Sequence, residues 1–172
     1  MQEADKRKPF KYDVDGYDII TNAINDLLNQ YPGLLEGEQI KFSTLGEESG
    51  IAFYPVTGAA ISSEKVSVTG KVNQLCNYPF YIVYRTATES ANSKIDIKEF
   101  LDNLGRWLER QTIKIGSETY KLPGYPVLTD GRTITEIVRQ APAYLDYVNE
   151  NNVQNWVISF VFRYRNIFYR NK

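Results

Sequence analysis

The most constraining stretch of this 172-residue chain is its last β-prone run, residues 154–168. Trp156, Ile158, Phe160, Phe162 and Tyr164 fall there on alternate positions. A period of two puts all five on one face of a strand, and aromatic and β-branched residues suit that pleated surface. One thoroughly apolar face on so long a strand demands partner strands beside it and a second layer above it. The opposite face carries Arg163 and Arg165, with Arg170 and Lys172 just beyond. No acidic residue follows Glu150, so the last 22 residues carry a local charge of +4.

The rest of the chain supplies the partners. Residues 79–86 alternate Phe80, Ile82 and Tyr84 with Tyr81, Val83 and Arg85, which predicts a second firm strand. Short strands are expected at 39–44 and 51–54 around a turn at 46–50, with an edge hairpin or projecting arm over 59–72. Another strand is expected at 133–139, followed by extended chain at 141–145 and a turn at 149–152. Two amphipathic helices interrupt these. The first, over 17–30, has Asp15 as its cap, an apolar stripe of Ile20, Ala23, Ile24, Leu27, Leu28 and Tyr31, and a stop at Pro32-Gly33. The second, opened by Ser93 with Asp96 three residues on, runs to about Gln111 and gathers Ile97, Phe100, Leu101, Leu104, Trp107 and Leu108 on one face. Its other face is charged and reads as solvated, and Gly105 reads as a point of close approach to the sheet. Residues 87–93 are polar loop, and 112–131 are rich in glycine and proline. The expected fold is α+β: a mainly antiparallel sheet with two helices packed on one face. Residues 1–14 are expected to form a mobile charged arm and 15–172 a single domain.

Several function classes fall away on composition. Histidine is absent, which excludes Ser-His-Asp and Cys-His hydrolases and His-ligated zinc. One cysteine, Cys76, excludes an internal disulfide and any multi-thiolate metal site, and reads as a buried bystander. The net charge of -1 removes a strong global attraction to nucleic acid. The charged N-terminus has no apolar run after it, so neither a signal sequence nor a membrane anchor is expected. The carboxylate groupings Glu47-Glu48, Asp13/Asp15/Asp18 and Asp102/Glu109 match no metal loop and read as solvated surface. Gly116-Ser117 and Gly131-Arg132-Thr133 lack the spacing of a phosphate loop, and Thr129-Asp130-Gly131 reads as a turn. No enzyme and no cofactor is expected.

Thirteen tyrosines and eight phenylalanines are more than a two-layer interior of this size holds, and such residues with arginine beside them are enriched at protein contacts. The candidate contact residues are Arg85, Glu89, Tyr120, Tyr125, Arg163, Arg165, Tyr169 and Arg170. Interleaved aromatics and arginines also suit a single-stranded nucleic-acid platform, but the aromatics of the last strand fall on the face that should be core.

These residues resemble a family. In residues 100–111 (Phe-Leu-Asp-Asn-Leu-Gly-Arg-Trp-Leu-Glu-Arg-Gln), the sequence is similar to a helix of the tail-terminator, or minor capsid, proteins encoded by phages and prophages of Gram-positive bacteria. The likeness continues through Leu122-Pro123, the turn at 127–133, Tyr144-Leu145 with its polar acidic turn, and the last strand. The strand at 80–85 with the loop after it also matches, so the likeness covers roughly residues 78–168. The charged arm, the extra residues at 113–121 and Gly124-Tyr125-Pro126 depart from it. The resemblance implies a virion protein at the head–tail junction. It implies a ring, commonly of six copies, that caps the tail tube and meets the head–tail connector or stopper. Genomic DNA would pass its lumen without specific binding. A connector or stopper subunit is the neighbouring alternative.

Overall fold

A computed structural model describes residues 11–87 and 90–170. In chain order the elements are helix α1 (Gly16–Leu28), strands β1 (Ile40–Phe42), β2 (Gly50–Pro55), β3 (Ala60–Val66) and β4 (Lys71–Ala87), helix α2 (Ala91–Leu108), and strands β5 (Ile113–Ile115), β6 (Glu118–Tyr120), β7 (Arg132–Arg139), β8 (Tyr144–Val148) and β9 (Val153–Tyr169). β4 and β9 pair antiparallel along their whole length, from Lys71 opposite Tyr169 to Ala87 opposite Val153. Each is 17 residues long, and together they are the spine of a seven-stranded sheet. On the far side of β4, β2 pairs with one half and β3 with the other. On the far side of β9, β8 pairs with the first half and β7 with the second. β1 completes the sheet beside β2, in parallel. The sheet is therefore mainly antiparallel, as expected, with one parallel pair that the sequence did not announce.

The strand face that carries Ile158, Phe160, Phe162 and Tyr164 is buried, and both helices lie on it. Opposite these residues β4 contributes Ile82, Phe80, Tyr78 and Cys76. Phe80 and Phe160 stack with centroids 5.2 Å apart. α1 inserts Ile20, Ile24, Leu27 and Leu28, and α2 inserts Ile97, Leu101, Leu104, Trp107 and Leu108. Tyr31, just past α1, joins the helices by ring contacts with Phe100 and Trp107. Each such side chain contributes about 1.5–3 kcal/mol by leaving water, so this layer is the main source of stability.

Pro79 sits in the middle of β4, where a missing N–H normally breaks a ladder. Its carbonyl accepts from Val56 N, so its backbone groups point away from β9. The absent donor thus falls at the gap where β2 has ended and β3 has not begun, and costs nothing in the spine.

Other expectations shift in detail. β4 begins at Lys71, eight residues before the expected strand, as the second arm of the β3–β4 hairpin. α2 opens three residues early: Ser90 is the cap, its hydroxyl accepting from Ser93 N at 3.4 Å, and the helix ends at Leu108. The stretch read as loop at 112–131 contains the β5–β6 hairpin, which buries Ile113. The turn at Asp130-Gly131 is as expected, both residues having positive φ, and a Cβ on Gly131 would lie 2.2 Å from Ile167 O. Gly105 is indeed a close approach, but to a side chain: a Cβ there would meet Arg139 Cδ at 2.3 Å.

The largest correction concerns Asp13, read from sequence as an exposed carboxylate on a mobile arm. Residues 11–14 belong to the folded body. Asp13 N donates to Ala59 O, Ile61 N donates to Lys11 O, and Tyr12 bridges Ala60 along the outer edge of β3. The Asp13 carboxylate, 7% exposed, takes two bonds from Arg132, at 2.7 and 2.9 Å. It also accepts from Tyr164 Oη at 2.7 Å and from Gly16 N at 3.1 Å, so it also caps α1 in place of the expected Asp15, whose side chain makes no cap bond. Burial alone would raise the pKa of Asp13, but the bonds from Arg132 and Tyr164 and the guanidinium charge outweigh it and hold it below the ordinary 3.8. Residues 1–10 lie outside the described residues.

A buried pair of this kind is costly to break from one side. Asp13→Asn leaves Arg132 buried without its counter-charge and should lower unfolding free energy by about 3–5 kcal/mol near neutral pH, read from urea denaturation. Because the folded pKa is depressed, the carboxylate's contribution is present above its unfolded pKa and is lost as pH falls through the folded value. The variant should therefore show a flatter stability profile than the parent on the acid side of pH 4. Equal acid slopes in the two proteins would show that Asp13 is not the titrating group.

Candidate subunit-contact surface

Among the described residues, no helix lies over the second face of the sheet. Alternation along β4 and β9 puts Asn77, Pro79, Tyr81, Val83 and Arg85 there, together with Asn155, Val157, Ser159, Val161, Arg163 and Arg165. The residues are not evenly mixed. Around the β2–β4–β9–β8 end, Tyr54 and Tyr81 stack at 5.3 Å with 16° between their planes. With Leu45, Val83, Tyr144, Asp146, Val157 and Ser159 they line an open depression of about 400 Å³. Arg85 closes one side, its Nε donating to Asn155 Oδ1 at 2.9 Å and its Nη1 to Gly46 O at 3.0 Å. Partial burial raises the pKa of the Tyr54 hydroxyl, with Arg85 opposing and Tyr81 adding, so Tyr54 is a neutral donor at any physiological pH. The other end of the face is basic and polar: exposed Arg163, paired with Glu136, and exposed Arg165, which has no ion-pair partner among the described residues.

The sequence candidates therefore divide. Arg85, Arg163 and Arg165 share the open face, and Tyr169, 64% exposed, continues it past Ile167. Arg170 lies at the same end, but its guanidinium is 3.1 Å from Glu64, which ties the end of β9 to β3. Tyr120 stands apart on β6, donating to Glu118. Tyr125 is a structural residue: half-buried, it donates to Leu108 O at 2.8 Å and accepts from Ile137 N at 3.3 Å. Glu89 lies outside the described residues. Sequence reasoning missed Tyr54 and the pairing of β8 with β9, although it read 141–145 as extended, because no single local pattern marks residues from separate strands as neighbours.

The carboxylates read as solvated surface also divide. Glu47 and Glu48 are exposed, but Asp102 and Glu109 reach off α2 to the strands. Asp102 accepts from Ala143 N and from Lys98, and these partners hold its pKa low against the effect of burial. Glu109 accepts from both the backbone N and the side chain of Arg139. Cys76 is fully buried beside Tyr164, and burial pushes its thiol up to about 11, so it is inert as a nucleophile. Among the described residues no cluster of Asp, Glu and Cys is arranged to hold a metal, and no helix is long and apolar enough to cross a membrane.

The open-face arginines lie outside the core, so they should be dispensable for folding. Arg163→Gln should change unfolding free energy by less than about 1 kcal/mol, since an exposed ion pair contributes little. A larger loss in thermal denaturation would mean that Arg163 is structural and unavailable to a partner. No family model matches this chain, and no curated protein matches it.

Proposed function

We propose that this chain is a virion structural protein, a tail terminator that forms a ring on the end of a phage tail tube and meets the head connector. One observation carries the reading. The two helices pack on one face of the sheet, and among the described residues the other face carries no helix but two chemically different patches, one tyrosine-rich and one basic. Two unlike patches on one chain suit head-to-tail packing, which closes into a ring when the rotation per subunit allows. The motifs shared with terminator proteins, in α2 and from Leu122 onward, support the same reading. Such a ring, commonly a hexamer, would sit at the head–tail junction and let DNA pass without sequence-specific contact.

Two alternatives stay in view. A connector or stopper subunit would use the same surfaces but locate on heads. A single-stranded nucleic-acid platform needs aromatics among its cations. Here Phe160, Phe162 and Tyr164 are buried, and of the β9 aromatics only Tyr169 shares the arginine face.

The solution mass of the purified chain, followed by negative-stain microscopy after mixing with tail tubes or with DNA-filled heads, separates these readings. Rings on tube ends are expected. Rings on heads alone would favour the connector, and a chain that ignores both while binding oligonucleotides in low salt would favour the third reading.

A further inference from the structure

Every edge of a sheet exposes backbone donors and acceptors that invite another strand, and proteins usually block them. In this sheet the blocking is selective. At β1, the Asn29 side chain bonds both Ile40 N and Ile40 O at 2.9 Å, and Thr44 Oγ1 donates to Phe42 O. At β7, Ile137 N is taken by Tyr125 Oη and Arg139 N by Glu109 Oε1. At β3, residues 11–13 run along the first half, and the second half presents Ser63, Glu64 and Lys65. Just before β8, Asp102 takes Ala143 N. β8 itself is left open. Among the described residues it pairs only with β9 and no side chain bonds its backbone, and all five of its residues are exposed, four of them Tyr144, Leu145, Tyr147 and Val148. Its remaining residue, Asp146, which also lines the open-face depression with Arg85, and Glu150 in the following turn give this end of the molecule its acidic groups. Arg85, the cation of the open face at this end, is on β4, beyond β9, and already bonded to Asn155 and Gly46 O.

We infer that β8 is a strand-addition site for the N-terminal segment, residues 1–10, of a second copy of this chain. That segment holds the run Lys6-Arg7-Lys8. Laid as a strand against β8, it would satisfy the free backbone edge, set cations against Asp146 and Glu150, and place them over the Tyr144 and Tyr147 rings, a favourable cation–π geometry. The same chain cannot supply it. Lys11 is bonded outside β3, at the level of Tyr164, whereas β8 pairs around Trp156 on the opposite edge. Five strand spacings and eight residues of strand separate the two places, about 24 Å across and about 26 Å along, roughly 35 Å in all. Ten residues fully extended span at most about 33–36 Å, which leaves nothing to pair. An arm passed from each copy to the next is a head-to-tail contact, so the inference rests on the ring reading but is tested separately from it.

Cys76 is buried, so introduced cysteines can report the contact. Full-length Lys6→Cys chains are mixed with full-length Asp146→Cys chains under mild oxidation, both free in solution and in the presence of tail tubes. A disulfide-linked heterodimer, several-fold more abundant than either homodimer, is expected in at least one preparation. A second series reverses charge: Lys6→Glu with Arg7→Glu should reduce self-association several-fold, as should Asp146→Lys with Glu150→Lys, and combining the two sets should restore it. Absence of the heterodimer in both preparations overturns the inference, even if rings form on tubes. So does a combined variant no better than its parents. A heterodimer with restored association, in a protein that ignores tubes, would support the arm contact and remove the terminator reading.

Discussion

Seventeen consecutive residue pairs between β4 and β9 hold this molecule in register, and nearly every other element is placed by them. β2, β3, β7 and β8 each lean on one half of one of these strands, and the two halves have different neighbours. A slip of β9 by one residue against β4 would carry Phe160 and Phe162 to the open face and Arg163 into the core. The stacked Phe80–Phe160 pair and the buried Tyr78 and Tyr164 make that slip prohibitive. The lone edge segments then have only to find their places against a frame already fixed.

The polar side of α2 shows how such a frame is finished. A helix face rich in Lys, Glu, Asp and Arg looks solvated, yet Asp102 and Glu109 turn toward the sheet and bind backbone N–H groups of Ala143 and Arg139. Gly105 leaves the space through which the Arg139 side chain runs to meet Glu109. The helix thus serves two purposes, apolar cover on one side and edge protection along its flank. The Asp13–Arg132 pair does a comparable job at the other end of the molecule, joining the segment before α1 to β7 and to Tyr164.

Much of this was legible in the sequence, and the misses have physical causes. The apolar face of β9, the stripes of both helices and the parity that puts Tyr81, Arg85, Arg163 and Arg165 on a common face all follow from periodicity, because burial imposes it. The first half of β4 escaped because Asn73, Gln74 and Asn77 dilute its pattern, and pairing with β9 and β3 overrides local preference there. The β5–β6 hairpin is too short to show a period. Asp13 could not be read at all: its partner is 119 positions away, and nothing near either residue marks the bond. Tyr125, grouped with exposed aromatics on composition, proved to be held by Leu108 and Ile137, which only the tertiary arrangement brings to it.

The separation between β4 and β9 in the chain decides when the fold can close. β4 is synthesised early, but the strand that pairs with its whole inner edge is completed only when translation has passed Tyr169. Until then β4 carries an unpaired hydrophobic ladder, and both helices lack half of the surface they cover. Long-range strand pairing of this type folds slowly and late. The open face, which is built from β4 and β9 together, therefore exists as a surface only once β9 has been made and paired.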